Sequence, residues 1–478
     1  MPFDPVILWT DRFVFLLLAA VAATTWYVRR HEHLSVPWRR VAQSASGMSA
    51  LTVLSVFIVI GLLDTLHYSP AIGVKDGKTV YAVAVRSLLD RIAEPLRTQR
   101  EKTYSAPLAT HLFAKETVIL PDGGETREYP RLRFGGTHLK DPAADWAPDV
   151  TRRAVLGFAG GMLAWVILAT LLCAVLAHRQ EGSMDKVWRA VWRGETGIPW
   201  RAVLITVAVM LAIAAPMLAL AGKYHVLGTD KVGQDVLYHS LKSIRTGLLI
   251  GTLTTLITLP FALLFGIMAG YFKGWVDDAI QYVYTTLSSI PGVLLIVAFV
   301  LTMQVFIENH PTWFPTTEQR ADVRLLALCF ILGITSWTSL CRLLRGEALK
   351  LRELDYIQAA HAFAVSDWRI MQRHLLPNVM HIVLIAMVLD FSGLVLAEAV
   401  LSYVGVGVDP TTISFGTMIN SARLEMARDP MVWWSLASAF CFMLVMVLSA
   451  NLFADAVRDA FDPRVRVARP FRLAVQKA

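Results

Sequence analysis

The stretch EALKLRELDYIQAAHAFAVSDWRIMQRHLLPN, Glu347 to Asn378, decides how this chain is read. It is dense in charge (Glu347, Lys350, Arg352, Glu353, Asp355, Asp367, Arg369, Arg373), yet apolar runs of membrane length flank it on both sides. A polar segment of this length does not lie in hydrocarbon, so it stands in water between two spans. Leu351, Leu354, Ile357 and Ala360 recur at helical spacing and predict one amphipathic helix. Val365-Ser366-Asp367 reads as a break, with Ser366 capping a second helix from Asp367 that Pro377 ends. The expected form is a short helix–turn–helix on a membrane surface.

The flanking composition agrees. The chain has 478 residues, 55% hydrophobic and 17% charged, with a mean hydropathy of +0.51. Those values define a polytopic membrane protein. The net charge of +8 fits Lys and Arg held at cytoplasmic membrane edges, not nucleic-acid binding. Cys173, Cys329, Cys341 and Cys441 fall in or at the ends of apolar runs without CxxC spacing, so neither a disulfide framework nor a zinc site is expected. No G-x-x-x-x-G-K-[ST] occurs, so no P-loop nucleotide site is expected in this chain.

Nine spans are expected, near 13–28, 46–67, 154–177, 202–222, 244–270, 279–306, 325–344, 379–402 and 432–455. The sixth carries Ser288-Ser289-Ile290-Pro291-Gly292, a predicted kink. Asp4 and Asp11 against Arg12 argue against a signal peptide and for an external N-terminus. Arg29, Arg30, Arg39, Arg40, Arg179, Lys186, Arg189 and Arg193 then mark the cytoplasmic side, with Trp188, Trp192 and Trp200 as an interfacial belt. The polar region 68–151, with strand-like Lys78 to Val85 and a helix-like Ser87 to Arg100, is expected as an external insertion of about 80 residues. Asp390 and Glu398 lie inside the eighth span, where charge is costly and faces a cavity or a partner.

Gln358-Ala359-Ala360, Ala364 and His374-Leu375-Leu376-Pro377 resemble the EAA loop of ABC importer permeases: Glu-Ala-Ala, three residues, Gly, nine residues, Ile, any residue, Leu-Pro. Gln358, Ala364 and His374 replace the family's Glu, Gly and Ile, and Ala tolerates positive φ poorly. The flanking Asp355-Tyr356-Ile357 and Arg373-His374-Leu375-Leu376-Pro377-Asn378 are similar to the oligopeptide/dipeptide branch, including its peptide-antibiotic importers. Three further runs resemble that branch. His225-Val-Leu-Gly228-Thr229-Asp230-Lys-Val-Gly233-Gln-Asp235-Val is like H-P-L-G-T-D-x-x-G-R-D-V, Tyr271 to Asp277 is like Y-F-G-G-W-V-D, and Leu401 to Pro410 is like L-S-F-L-G-L-G-V-x-P. Together they cover about 223–464.

The resemblance implies an all-α type I ABC importer permease core, preceded by extra spans (1–67 and 152–222) and the insertion, and followed by a basic tail at 465–478. It implies a bacterial inner-membrane protein with a cytoplasmic C-terminus and no enzymatic site of its own; ATP and magnesium belong to partner subunits. The implied partners are a second, B-type permease, one or two P-loop ATPases, a periplasmic substrate-binding protein and the bilayer. The implied ATPase-coupling residues are Asp355, Tyr356, Ile357, Gln358, Ala359, Ala360, Phe363, Ala364, Asp367, Arg369, Arg373, His374 and Pro377, with Tyr356, Ile357 and Phe363 as the apolar grip in a helix-in-groove contact. Asp390, Glu398, Gly405 and Gly407 are expected along the translocation path or its outer gate. Gly228, Thr229, Asp230, Gly233 and Asp235 form the external signature, which needs no metal. External loops including 403–431 are expected to receive substrate. Either 46–67 or 202–222 corresponds to the family's first core span. Two other classes fit parts of the sequence. An ion-coupled secondary transporter would use Asp390 and Glu398 and work without an ATPase. A membrane-anchored receptor would bind through 68–151 and survive loss of the later spans.

Overall fold

The computed structural model describes residues 3–76, 78–119, 125–179 and 182–461; the basic tail lies outside them. Strand β1 (Phe3–Val6) leads into α1 (Trp9–Arg30), α2 (Glu32–Val41) and α3 (Ala45–Thr65). The insertion follows with β2 (His67–Lys75), β3 (Lys78–Tyr81), β4 (Arg86–Ser87), α4 (Leu88–Ile92), α5 (Glu94–Thr98), β5 (Glu116–Ile119) and β6 (Glu125–Glu128). Next come α6 (Pro142–Arg179), α7 (Met184–Arg193) and α8 (Trp200–Ala221). The remainder is α9 (Val236–Phe272), α10 (Gly274–Ser289), α11 (Gly292–Asn309), α12 (Thr317–Arg352), α13 (Asp355–Ala362), α14 (Asp367–Ile370), α15 (Leu376–Val404), α16 (Phe415–Glu425) and α17 (Trp434–Phe461). Among the described residues nine helical stretches are long and apolar enough to cross a membrane: α1, α3, α6, α8, α9, α11, α12, the run Asp367–Val404, and α17.

The bundle is built on α9 and α12, and small residues let their backbones approach. A Cβ at Gly266 would sit 2.8 Å from Leu344 Cβ, and one at Gly270 2.5 Å from Ala348 Cβ. In lipid, where burial of apolar surface gives little preference for one helix over another, such close dispersion contact is what selects the partner. The same device places α3: Gly47 lies against Ala456 of α17 and Gly61 against Leu248 of α9. Helices α15, α16 and α17 complete this group around Phe415, Trp434 and Met446. Helices α6 and α8 instead pair with each other through Gly157 and Gly161, one helical turn apart. That hairpin meets the bundle mainly through α3, with Met217 and Ala221 reaching α9 at one end. Residues 46–67 therefore form the span embedded in the core, and 202–222 lie outside it.

Several sequence expectations are corrected. The sixth span is not one kinked helix. Helix α10 stops at Ser289, the chain is extended at Ile290 and Pro291, and α11 restarts at Gly292, because proline has no amide to continue the ladder. The helix that carries the third span begins at Pro142, ahead of the apolar run, so its first turns, with Asp145, Asp149, Arg152 and Arg153, are continuous with the polar region before it. The expected helix over Ser87–Arg100 is two short helices broken at Ala93, where Pro95 enters the first turn of α5. Pro377 does not end the helix that starts at Asp367. Met371–Leu375 widens into a π-helical turn and the chain runs on as α15 with Pro377 in its first turn. The wider turn opens the hydrogen-bond ladder just ahead of the proline, which relieves its missing donor and ring clash. Ser366 precedes α14 but makes no side-chain cap bond. The segment 403–431 is not merely loop, since its α16 buries Phe415, Met418 and Ala422.

The insertion joins the N-terminus in one small sheet. Strand β1 pairs antiparallel with β2, Phe3 opposite Pro70 and Val6 opposite His67. Thr10 donates its amide to Asp322 of α12 at 3.0 Å, and Arg245 of α9 pairs with Asp11 at 2.8 Å. These bonds pin α1 at this end alone; its buried residues are Thr10, Asp11 and Val14.

Candidate functional site

At the opposite end of the bundle α13 and α14 form a rigid unit. Ile357, Ile370 and Leu375 are fully buried against the C-terminal ends of α9 and α12, beside Tyr271, Leu344 and Ala348. This corrects the expected role of Ile357: the amphipathic face of α13 that carries it turns inward, so it anchors the unit and is not part of an outward grip. Ala360 and His374 are half-buried; Asp355, Tyr356, Gln358, Ala359, Phe363, Ala364, Asp367, Arg369, Arg373 and Pro377 are exposed. Phe363 is 82% exposed, and Trp368 (54%), Tyr356 (45%) and Leu354 (42%) stand open with it. Leu354, expected on the same apolar face as Ile357, stands open instead, and Trp368, an aromatic residue isolated in a polar run, is a site residue that the sequence pattern does not single out.

Polar bonds lock the unit to the turn after α9. The Tyr271 hydroxyl donates to Asp367 Oδ1 at 2.7 Å and lies 2.8 Å from His361 Nε2, whose ring stacks on the tyrosine. Arg352 donates to the Tyr271 carbonyl at 2.7 Å, and Lys273 pairs with Glu353 at 2.8 Å. Arg345 grips Asp277 with two bonds of 2.6 Å, tying α12 to α10. The unit is thus bonded to the end of α9 and to the turn after it, and α12 is bonded in turn to α10.

The turn between them departs from the ideal sequence at one residue. The amide of Val365 bonds to the Ala360 carbonyl at 3.1 Å, and that of Ala364 to His361 at 2.9 Å. This is the Schellman pattern, and its left-handed position is Ala364, at φ 55°. A Cβ there costs about 1 kcal/mol or somewhat more. Ala364→Gly is therefore expected to stabilise the turn by about 1 kcal/mol, read as slower amide exchange over 360–367 with transport undiminished.

The external signature folds as the seat of the insertion. Asp235 caps α9 through the amides of Leu237 and Tyr238, and holds His225 Nδ1 at 2.8 Å. Asp230 accepts the amides of Val232 (3.0 Å) and Gln234 (2.8 Å). Thr229 Oγ1 accepts the amide of Ser105 at 2.7 Å, and the Thr229 carbonyl takes the Trp434 indole N–H at 2.9 Å. Gly228 and Gly233 adopt φ 74° and 72°. A Cβ on Gly233 would lie 1.9 Å from the Glu101 carbonyl oxygen, and Glu101 donates its amide to the Gly233 carbonyl at 2.9 Å. The Glu101 carboxylate, buried, accepts the amides of Arg133 and Phe134 at 2.8 Å and of Gly135 at 3.2 Å. His225 Nε2 stands 3.5 Å from it, at ion-pair range but without a hydrogen bond.

Burial by itself would push the His225 imidazole down, but Asp235 and Glu101 outweigh it and raise the pKa to about 9. Burial would raise Glu101, but His225 and the three amides hold it below the usual carboxylate value. The signs differ. The His225 contribution is complete below its unfolded value of about 6.5 and fades as pH rises through 9. The Glu101 contribution is present above the ordinary carboxylate range and fades as pH falls below it. Protection of the 101–135 segment from hydrogen exchange, corrected for intrinsic rate, is expected to weaken as pH rises from 6.5 towards and past 9.

The residues expected along a path separate. Glu398 is 1% exposed and accepts the hydroxyls of Ser402 (2.7 Å) and Ser414 (2.8 Å), the latter the cap of α16. It is enclosed where α15 meets the start of α16, so it does not line open space. Gly405 closes α15 at φ 87°, and Gly407 packs onto Ser402. Asp390 is exposed and borders a cavity of about 780 Å³ between α12 and α15, with Leu343, Glu347, His381, Leu389 and Arg458 on its walls.

A family model described as "Binding-protein-dependent transport system inner membrane component" matches residues 262–467, which take in the turn after α9 and the α13–α14 unit. The oligopeptide transport system permease protein OppC of Mycobacterium tuberculosis is 34% identical over 248 residues, 52% of this chain and 79% of that protein. The glutathione transport system permease protein GsiD of Pectobacterium atrosepticum is 30% identical over 244 residues, 51% of this chain and 73% of that protein. A solved methionine ABC transporter in inward-facing conformations covers 48% of this chain and 96% of that chain at 17% identity and a TM-score of 0.35, too slight a likeness to carry an argument.

Proposed function

The chain belongs to the inner-membrane permease components of binding-protein-dependent transport systems, of the oligopeptide/dipeptide kind, and from that premise we propose how its parts divide the work. It is a multi-pass membrane protein and the permease subunit of an ABC importer. The cargo is peptide or a small peptide-like solute, as the names of its relatives suggest. Separate P-loop subunits bind ATP and magnesium. They seat on the α13–α14 unit, and a second permease completes the path. A substrate-binding protein delivers cargo from the insertion side.

One observation carries this reading: four large side chains, Phe363, Trp368, Tyr356 and Leu354, stand open on a polar unit that is bonded to α9 and buried at its base against α9 and α12. A hydrophobic knob in water, on a rigid mount, suits a helix-in-groove contact. ATP binding then moves the unit as a rigid body and tilts the helices attached to it. Asp390 borders the cavity that would carry cargo, since a carboxylate within a span is tolerated at a wet surface. Arg29, Arg30, Arg39, Arg40, Arg189 and Arg193 lie at the end that carries this unit, which supports a cytoplasmic unit and an external N-terminus.

The test is affinity capture of the whole chain from its native membrane in mild detergent, followed by mass spectrometry. A second permease and P-loop ATPases are expected with it. Recovery of this chain alone, transporting in liposomes under an ion gradient, would replace the proposal with ion-coupled transport.

A further inference from the structure

Helix α1 sits oddly for a membrane span. Its first turn is bonded to α9 and α12, but from Phe15 onward most of its large apolar side chains are open, Leu16 at 57% and Val21 at 55%. It does not pack along α3, although the strand pair β1–β2 holds the outer ends of both helices together. The result is an apolar cleft of about 360 Å³. Pro5 and Ile7 of the N-terminal segment, Phe15 of α1, Leu66 at the end of α3 and Leu88 of α4 line it, and Arg91 stands at its rim.

The level of the cleft in the bilayer follows from its neighbours. Trp9 is 48% exposed and carries the Arg12 guanidinium over its ring at 4.4 Å. An exposed Trp with an adjacent Arg marks the boundary between headgroups and hydrocarbon. Phe15 lies six residues further along α1, roughly 9 Å deeper at 1.5 Å per residue. The cleft therefore runs from headgroup level into the acyl region, between two spans, where bilayer lipid is the adjoining medium. Arg91 is exposed and has no carboxylate partner among the described residues. Lys242 and Arg245 nearby are both taken up by aspartates.

We propose that this cleft is a binding site for a phospholipid of the leaflet on the insertion side, with an acyl chain between α1 and α3 and the phosphate on Arg91. Apolar walls below and a single unpaired guanidinium above match the two halves of that molecule and no wholly polar solute. The lipid fills the gap that α1 leaves and braces the N-terminal span against α3. The inference rests on the membrane placement of α1 and α3, but not on the identity of the cargo or of the ATPase.

The experiment uses the intact complex in nanodiscs with phosphatidylglycerol carrying a photoactivatable diazirine in mid-chain, followed by peptide mapping. Labelling is expected to concentrate on peptides containing Phe15 and Leu88. Leu88→Trp, which fills the cleft, and Arg91→Glu, which repels the phosphate, are expected to reduce it at least several-fold. Arg91→Lys is expected to keep it. Both loss variants are checked for unchanged co-purification with the ATPase subunit. Since Arg91 is at the surface, Arg91→Glu remains informative if Leu88→Trp fails to fold. Labels spread evenly around α1, or unchanged by Arg91→Glu, would overturn the proposal and leave only annular lipid. Label confined to the cleft but insensitive to charge would replace the phosphate contact with an acyl or detergent guest, and would overturn it equally.

Discussion

Phe363→Asp is expected to weaken binding of the ATPase subunit by roughly 30- to 150-fold and to bring transport close to background, while the permease still inserts and folds. Phe363 is 82% exposed at the end of α13, so its ring contributes little to the fold of this chain. Aromatic side chains that fill a partner's pocket commonly carry about 2–3 kcal/mol of an interface. Aspartate removes that contact and adds a charge whose desolvation opposes docking. Ile357→Asp supplies the contrast. Ile357 is fully buried between the unit and the C-terminal ends of α9 and α12, so a carboxylate there is expected to disrupt the unit itself and to expose 353–375 to protease. The measurement is co-purification of the ATPase with each variant, alongside ATP-driven uptake in liposomes. Wild-type uptake by Phe363→Asp would mean that the exposed face carrying Phe363 is not the docking surface.

Gly233→Ala is expected to detach the insertion from the bundle. Two costs coincide there. The residue sits at φ 72°, where a side chain costs about 1–2 kcal/mol. The added Cβ would also meet the Glu101 carbonyl oxygen at 1.9 Å, a backbone atom that cannot rotate away. Relief requires that Glu101 withdraw, which breaks its amide bond to Gly233 and pulls its carboxylate from the amides of Arg133, Phe134 and Gly135. A total of about 4 kcal/mol or more is expected, at the far end of single-substitution effects. Limited proteolysis should then cut within 94–141 at concentrations that leave the wild type intact, with α9 and α12 still protected. An insertion equally resistant in Gly233→Ala would show that the seat at 225–235 does not hold it.

What could be read from the sequence was local. Hydropathy runs, charge at their ends and the spacing Gln358-Ala359-Ala360, Ala364, Leu376-Pro377 each lie within a few tens of residues. The doubt raised by alanine in place of glycine at 364 was also local, and φ 55° is where it appears. Pro377 does not stop its helix because the rule for proline concerns one ladder bond, and a π-helical turn just ahead of it removes the conflict.

By itself the sequence determined a nine-span membrane protein with a polar helical unit on one side and a second structured region on the other, because bilayer thickness and backbone hydrogen bonding leave a long apolar run little choice of form. Only the tertiary structure decided which side chains face which partner. It put α3 in the core and left the α6–α8 hairpin outside, since Gly47 and Gly61 have matching surfaces on α17 and α9. It turned Ile357 inward and left Phe363 open. It made Thr229, Gly233 and Asp235 into a seat for residues more than a hundred positions earlier, through pairings such as Glu101 with Gly233 and Ser105 with Thr229. It also enclosed Glu398 against Ser402 and Ser414 while exposing Asp390, two carboxylates of one helix. The periodicity of a helix shows that it has faces, but in a bundle the choice among them depends on small residues on other helices, distant in the chain, that allow close approach.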